Sequence, residues 1–121
     1  MTVDDKAKDE TVAIHAGRMS EAHFGAVNTP VYRASTILYP DLASLEASKG
    51  PYTYGRRGTP THRSLEEALT ALEGGKRTLL CPSGLNAIAL AILSVCSAGD
   101  HLLMVDSCYE PTRKLCDRTL K

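Results

Sequence analysis

Three short groups of residues in this chain have the capacity for chemistry. Tyr54-Gly55-Arg56-Arg57-Gly58 sets two adjacent guanidiniums beside Tyr52 and Tyr54, on a stretch that Gly and Pro mark as a loop. A guanidinium held by aromatic neighbours clasps a phosphate or carboxylate in a bidentate fork, whereas adjacent loop arginines are most often only solvated. Cys81-Pro82-Ser83-Gly84-Leu85-Asn86 leads from an apolar run at 78–81 into strong helix formers. The amides of Gly84, Leu85 and Asn86 then lack intrahelical partners and lie where the helix dipole favours an anion; the competing reading is a plain turn with Ser83 as N-cap. Tyr109, just beyond the apolar run 101–105, is a ring that can stack on a planar ligand or remain an ordinary surface aromatic.

These groups need elements to position them. Residues 1–10 are polar and charged and are expected to be disordered; residues 11–60 read as an arm and a loop, and 61–121 as the start of an α/β domain. No period persists over 12–39, yet Phe24, Val27, Val31, Tyr32, Ile37, Leu38 and Tyr39 require burial, which suits an arm lying on another subunit. The spacing predicts a short helix over 41–47, capped by Pro40 or Asp41 and ending before Gly50-Pro51. Ser64-Leu65-Glu66-Glu67 reads as a capping box that opens a helix closed by Gly74-Gly75. A strand at 78–81, a helix stopped by Ala98-Gly99-Asp100 and a second strand at 101–105 form a right-handed βαβ crossover, with Pro111 in the first turn of a helix toward Thr119. Gly84 and Tyr109 then fall at the carboxyl ends of parallel strands, where ligands of open α/β sheets gather.

Composition narrows the partners. Lys plus Arg and Asp plus Glu both number 14 among 121 residues, so no net field argues for nucleic acid or a membrane surface. Small molecules and like subunits are the expected partners. The apolar run 85–96 is interrupted by Asn86 and Ser94 and is too short to span a bilayer, and no basic-then-apolar leader is visible, so a cytoplasmic location is expected. Cys81, Cys96, Cys108 and Cys116 have no Cys-x-x-Cys spacing, and the histidines are dispersed; reduced thiols and no metal are expected.

In one order, the chain carries His15-Ala16-Gly17, Pro30-Val31-Tyr32 with Ser35-Thr36, Tyr54-Gly55-Arg56 with Thr59-Pro60-Thr61, Ser83-Gly84, and Gly99-Asp100 before Tyr109. With these motifs it resembles the Cys/Met metabolism enzymes that depend on pyridoxal phosphate (PLP), the fold-type I group of cystathionine lyases and synthases, over nearly its whole length. The resemblance implies PLP as cofactor and an aspartate aminotransferase-like large domain of which this is the arm and opening βαβ part. It implies that Gly84 and Leu85 donate backbone N–H groups to the cofactor phosphate, and that Tyr54 and Arg56 reach the same phosphate in a neighbouring subunit of a homotetramer. Tyr109 would stack on the cofactor pyridine near the substrate amine, and Arg57 would meet the distal part of the substrate. Tyr109-Glu110-Pro111 and Tyr54-Gly55-Arg56-Arg57-Gly58 look like the bacterial cystathionine β-lyase branch, which implies β-elimination from cystathionine or another cysteine-S-conjugate in methionine biosynthesis.

The family carries its Schiff-base lysine in a Ser-x-Thr-Lys setting, and neither Lys49, Lys76, Lys114 nor Lys121 has that setting. Two parallel strands are also too few for a stable sheet. The chain is therefore expected to be the N-terminal piece of a longer enzyme and inactive alone, ended by a cut after Lys121 or by a premature stop. A γ-acting relative and a non-catalytic binding or assembly fragment are the alternatives.

Overall fold

The computed structural model describes residues 7–121. Backbone packing divides the chain after Leu79 into two units, Met1–Leu79 and Leu80–Lys121, the division falling inside the stretch that the sequence assigns to the start of the α/β domain.

The first unit opens with α1 (Asp9–His15), a helix the sequence reading did not anticipate. Asp9 and Glu10 in its first turn and His15 in its last complement the helix dipole, and it packs on α3 (Pro60–Leu72). Asp9 and Glu10 are therefore structured where a disordered leader was expected; for residues 1–6 that expectation lies outside the described residues. A 3₁₀ turn, Ser20–His23, interrupts the arm, and α2 (Leu42–Glu46) forms where expected, with the Asp41 carboxylate accepting from the Ser44 amide at 2.7 Å. Gly55–Arg57 is another 3₁₀ turn.

Helix α3 begins four residues before the predicted capping box. Thr59 is extended and Pro60, whose ring presets the helical φ, takes the first turn, so Ser64 lies inside the helix. The Ser64 hydroxyl instead accepts a hydrogen bond from Thr29 at 2.9 Å. The helix ends at Leu72, ahead of Gly74 with its left-handed φ of 61°.

The arm is fastened to α3 by polar contacts. Thr61 Oγ1 accepts from the Tyr32 amide and donates to the Pro30 carbonyl, both at 2.8 Å. His23, buried, shares a hydrogen bond with the Tyr32 hydroxyl at 3.1 Å between its Nδ1 and that oxygen. A side chain on Gly17 would place its Cβ 2.0 Å from the Ser64 carbonyl oxygen, so the glycine of His15-Ala16-Gly17 is what lets the arm meet α3 backbone to backbone.

The second unit holds α4 (Gly84–Val95), α5 (Glu110–Lys114) and a wider π-type turn, Leu115–Thr119, that continues α5. Helices α4 and α5 are in contact. The predicted helices at both places are present. No strand is assigned at 78–81 or 101–105: among the described residues the sole isolated bridge is the antiparallel one between Thr36 and Tyr54. A strand exists only through the strand beside it, and local apolar character does not supply that neighbour. Of the βαβ crossover of the sequence reading, the helix is present, and 78–81 and 101–105 are connecting segments assigned to no strand. Among the described residues no apolar side chain is buried, and α4, apolar on nearly every face, exposes Leu85, Leu90, Leu93 and Val95. No helix among the described residues is long and apolar enough to cross a membrane.

Candidate functional site

The first group of site residues stands on a backbone that other backbone holds in place. The Gly55 amide donates to the Ser35 carbonyl at 2.7 Å, and Thr36 bridges Tyr54, so the 54–57 turn is clamped to residues 34–36 of the arm. The clamp is tight: a Cβ on Gly55 would come within 1.7 Å of the Ala34 carbonyl oxygen. From this support the Arg56 guanidinium lies over the Tyr54 ring, 4.9 Å from its centroid, which orients the cation while leaving its N–H groups outward for an anion. Tyr54 and Arg56 are brought together as a pair. Arg57 turns elsewhere, lining a pocket with Tyr52, Thr53, Thr59, Arg63 and Arg77.

The second group opens α4. Ser83 is extended and its Oγ accepts from the Asn86 amide at 3.2 Å, while its carbonyl accepts from the Ala87 amide at 3.0 Å. The two readings of this stretch are therefore compatible. The cap serves Asn86 and Ala87, and uses neither the Gly84 nor the Leu85 amide. A Cβ added at Gly84 would meet nothing within 4 Å, so packing does not demand a glycine there; the missing side chain keeps the mouth of the helix open.

Tyr109 is 65% exposed and is the N-cap residue of α5. Its carbonyl accepts from the Thr112 and Arg113 amides at 2.9 and 3.3 Å. Arg113 reaches back: its guanidinium donates to the carbonyls of Val105 and Asp106 at 3.1 and 3.2 Å and pairs with the Asp106 carboxylate at 3.5 Å. The loop that carries Tyr109 is thus closed by a residue that sequence reasoning missed, since an arginine in the last turn of a helix reads only as a dipole complement. Thr61 was likewise visible as part of a motif but not as the joint between arm and α3. Tyr54, Arg56 and Arg57 belong to one packing unit and Gly84, Leu85 and Tyr109 to the other.

Comparison with known proteins gives a consistent answer. The Cys/Met metabolism PLP-dependent enzyme family matches residues 10–121. Cystathionine beta-lyase MetC of Escherichia coli is 39% identical over 118 residues, covering 93% of this chain and 30% of that protein. Among solved structures, metB from Corynebacterium glutamicum superposes with a TM-score of 0.85 at 31% identity, covering 95% of this chain and 29% of that one. Cystathionine gamma-lyase from Lactobacillus plantarum, complexed with L-serine, gives 0.81 at 33% identity, covering 94% and 28%. The chain belongs to the Cys/Met metabolism PLP-dependent enzyme family, and PLP is the cofactor of that family. It spans less than a third of the length of these relatives.

Proposed function

We propose that this chain forms the arm and the opening of the cofactor-binding domain of a PLP-dependent carbon–sulfur lyase. The observation that carries this reading is the mouth of α4, where the Ser83 cap leaves the Gly84 and Leu85 amides unused and Gly84 adds no obstruction. Two convergent amides at the positive end of a twelve-residue helix fit the phosphate of PLP. Tyr54 and Arg56, held as a cation–π pair, fit the same dianion from a neighbouring subunit, and the exposed arm residues Phe24, Val31 and Leu38 fit contact with that subunit in a homotetramer. Tyr109, the exposed N-cap residue of α5, offers its ring to the cofactor plane. Arg57 is the residue for the distal part of the substrate. When bound, PLP supplies the electron sink that lets the α-proton of an amino acid leave. The Schiff-base lysine of the family would come from residues other than these.

For the reaction we favour β-elimination of cystathionine to homocysteine, pyruvate and ammonia, supported by the likeness to MetC and by the Tyr109-Glu110-Pro111 and Arg56-Arg57-Gly58 sequences. The likeness to a gamma-lyase favours a second reading, cleavage at the γ-carbon. Two measurements on the longest natural chain carrying this sequence test these readings. Gly84→Pro removes one amide while keeping a residue that suits the first helical position after an extended Ser83. Its PLP affinity should fall about tenfold, the value of one charge-assisted hydrogen bond, and undiminished affinity would sink the phosphate assignment. Product analysis from cystathionine then separates the reactions, pyruvate supporting the first and 2-oxobutyrate the second.

A further inference from the structure

A second cluster of cations lies apart from the Tyr54–Arg56 pair. Arg57, Arg63 and Arg77 line one pocket of about 220 Å³ together with Glu66, Thr53 and Thr59. The arginines come from three different places: the 3₁₀ turn, the first half of α3, and the segment after Gly75. Consecutive residues of a 3₁₀ turn point about 120° apart, so the stacking of Arg56 on Tyr54 sends Arg57 to a different wall. The segment that carries Arg77 is fixed to α3 one residue later, where the Thr70 and Thr78 hydroxyls are 2.8 Å apart. Thr59, 2% exposed, has its hydroxyl engaged with His62 Nδ1 at 2.9 Å.

The charge does not balance within the pocket. Three arginines and one acidic residue, Glu66, line the pocket, an excess of two formal positive charges among the lining residues. An adjoining, more open hollow shares Arg63, Glu66 and Arg77 and adds Lys76 and Glu67, so it removes none of that excess. The volume admits a phosphate-sized ion with several waters, at about 30 Å³ per water. We infer that this pocket binds a small dianionic oxyanion of phosphate size, held mainly by Arg63 and Arg77. Arginines from separate elements that line one pocket with fewer acidic residues are relieved of mutual repulsion by such an ion. Its lining residues include none of those at the α4 mouth. Arg57 is shared with the proposed substrate contact, so the test is confined to the other two arginines.

The experiment is a calorimetric titration of inorganic phosphate, at fixed chloride, into the PLP-loaded natural protein, in which the cofactor already fills its own phosphate site. Saturable binding should weaken about tenfold or more in Arg63→Gln/Arg77→Gln, while the cofactor absorbance per chain stays unchanged. Binding that chloride reproduces, or that the double variant retains in full, overturns the assignment. If the double variant melts without cooperativity, Arg77→Gln alone, which changes a residue outside any helix, carries the same expectation. A failure of the Gly84→Pro prediction would leave this result untouched, because the two measurements read different anions.

Discussion

The part of the chain up to Leu79 and the part beyond it are held together by different means. In the first, contacts of long sequence separation are polar or backbone to backbone: Thr61 with Pro30 and Tyr32, Thr29 with Ser64, Gly55 with Ser35, and Gly17 against Ser64. In the second, the contacts of Ser83 with Asn86 and of Arg113 with Val105 are local, within eight residues of one another. Both regions expose large apolar side chains, Leu38 88% and Val31 73% in the first and Leu103 89% and Val95 79% in the second. The first region spends Gly17, Gly55 and Thr61 on its own architecture. The second keeps its apolar faces for whatever covers them.

That contrast can be broken or sharpened by substitution. The largest effect belongs to Gly55→Ala, where the new methyl collides with the Ala34 carbonyl and the backbone must move. A loss of about 3 kcal/mol in unfolding free energy is expected, with the Tyr54–Arg56 pair displaced, as read by chemical denaturation. A cost below about 1 kcal/mol would mean that the arm and the turn are not locked. Ser83→Ala comes next. Losing the cap should cost about 1 kcal/mol and fray the first turn of α4, visible as faster exchange of the Asn86 amide, with no change in the exchange of α3.

The smallest effect is a dependence on pH. Hydrogen bonds from the Ser44 amide, then from its side chain, hold Asp41 below its ordinary pKa of 3.8, burial opposing them only weakly. A carboxyl depressed in the folded state contributes fully above the unfolded value and loses that contribution as pH falls through the folded one. Protection of the Ser44 amide should therefore be flat above about pH 5 and decline below about pH 4, while Asp41→Asn, also a good cap, removes the dependence. A decline already present at pH 6 would contradict the assignment.

Helices were legible where short-range rules decide them. The α4 cap, the α2 cap and the stop at Gly74 follow from residues within one turn, and each is present. The start of α3 was misread because Ser64-Leu65-Glu66-Glu67 also satisfies a local rule for a helix start, whereas Pro60 takes the first turn and the Ser64 hydroxyl is engaged by Thr29, 35 residues away in sequence. Helix α1 escaped notice because Val12 is its one half-buried aliphatic residue and its support comes from α3. The strands were legible as apolar runs but not as a sheet, since pairing belongs to two segments at once. In the candidate site, Tyr54, Arg56, Gly84 and Tyr109 were visible by residue type. Arg63 and Arg77 were not, because separate positions become one cluster only through the fold.

The meeting of Gly55 with Ala34 has a consequence for inheritance. A turn that admits no side chain because a distant carbonyl occupies the space cannot be transplanted by itself, nor can the arm that supplies the carbonyl. In a chimera of two related chains, crossovers that separate residues 29–36 from 54–64 should fail, and those that keep both from one parent should succeed. The heritable module here is a pair of segments joined by contact, with the intervening stretch free to diverge.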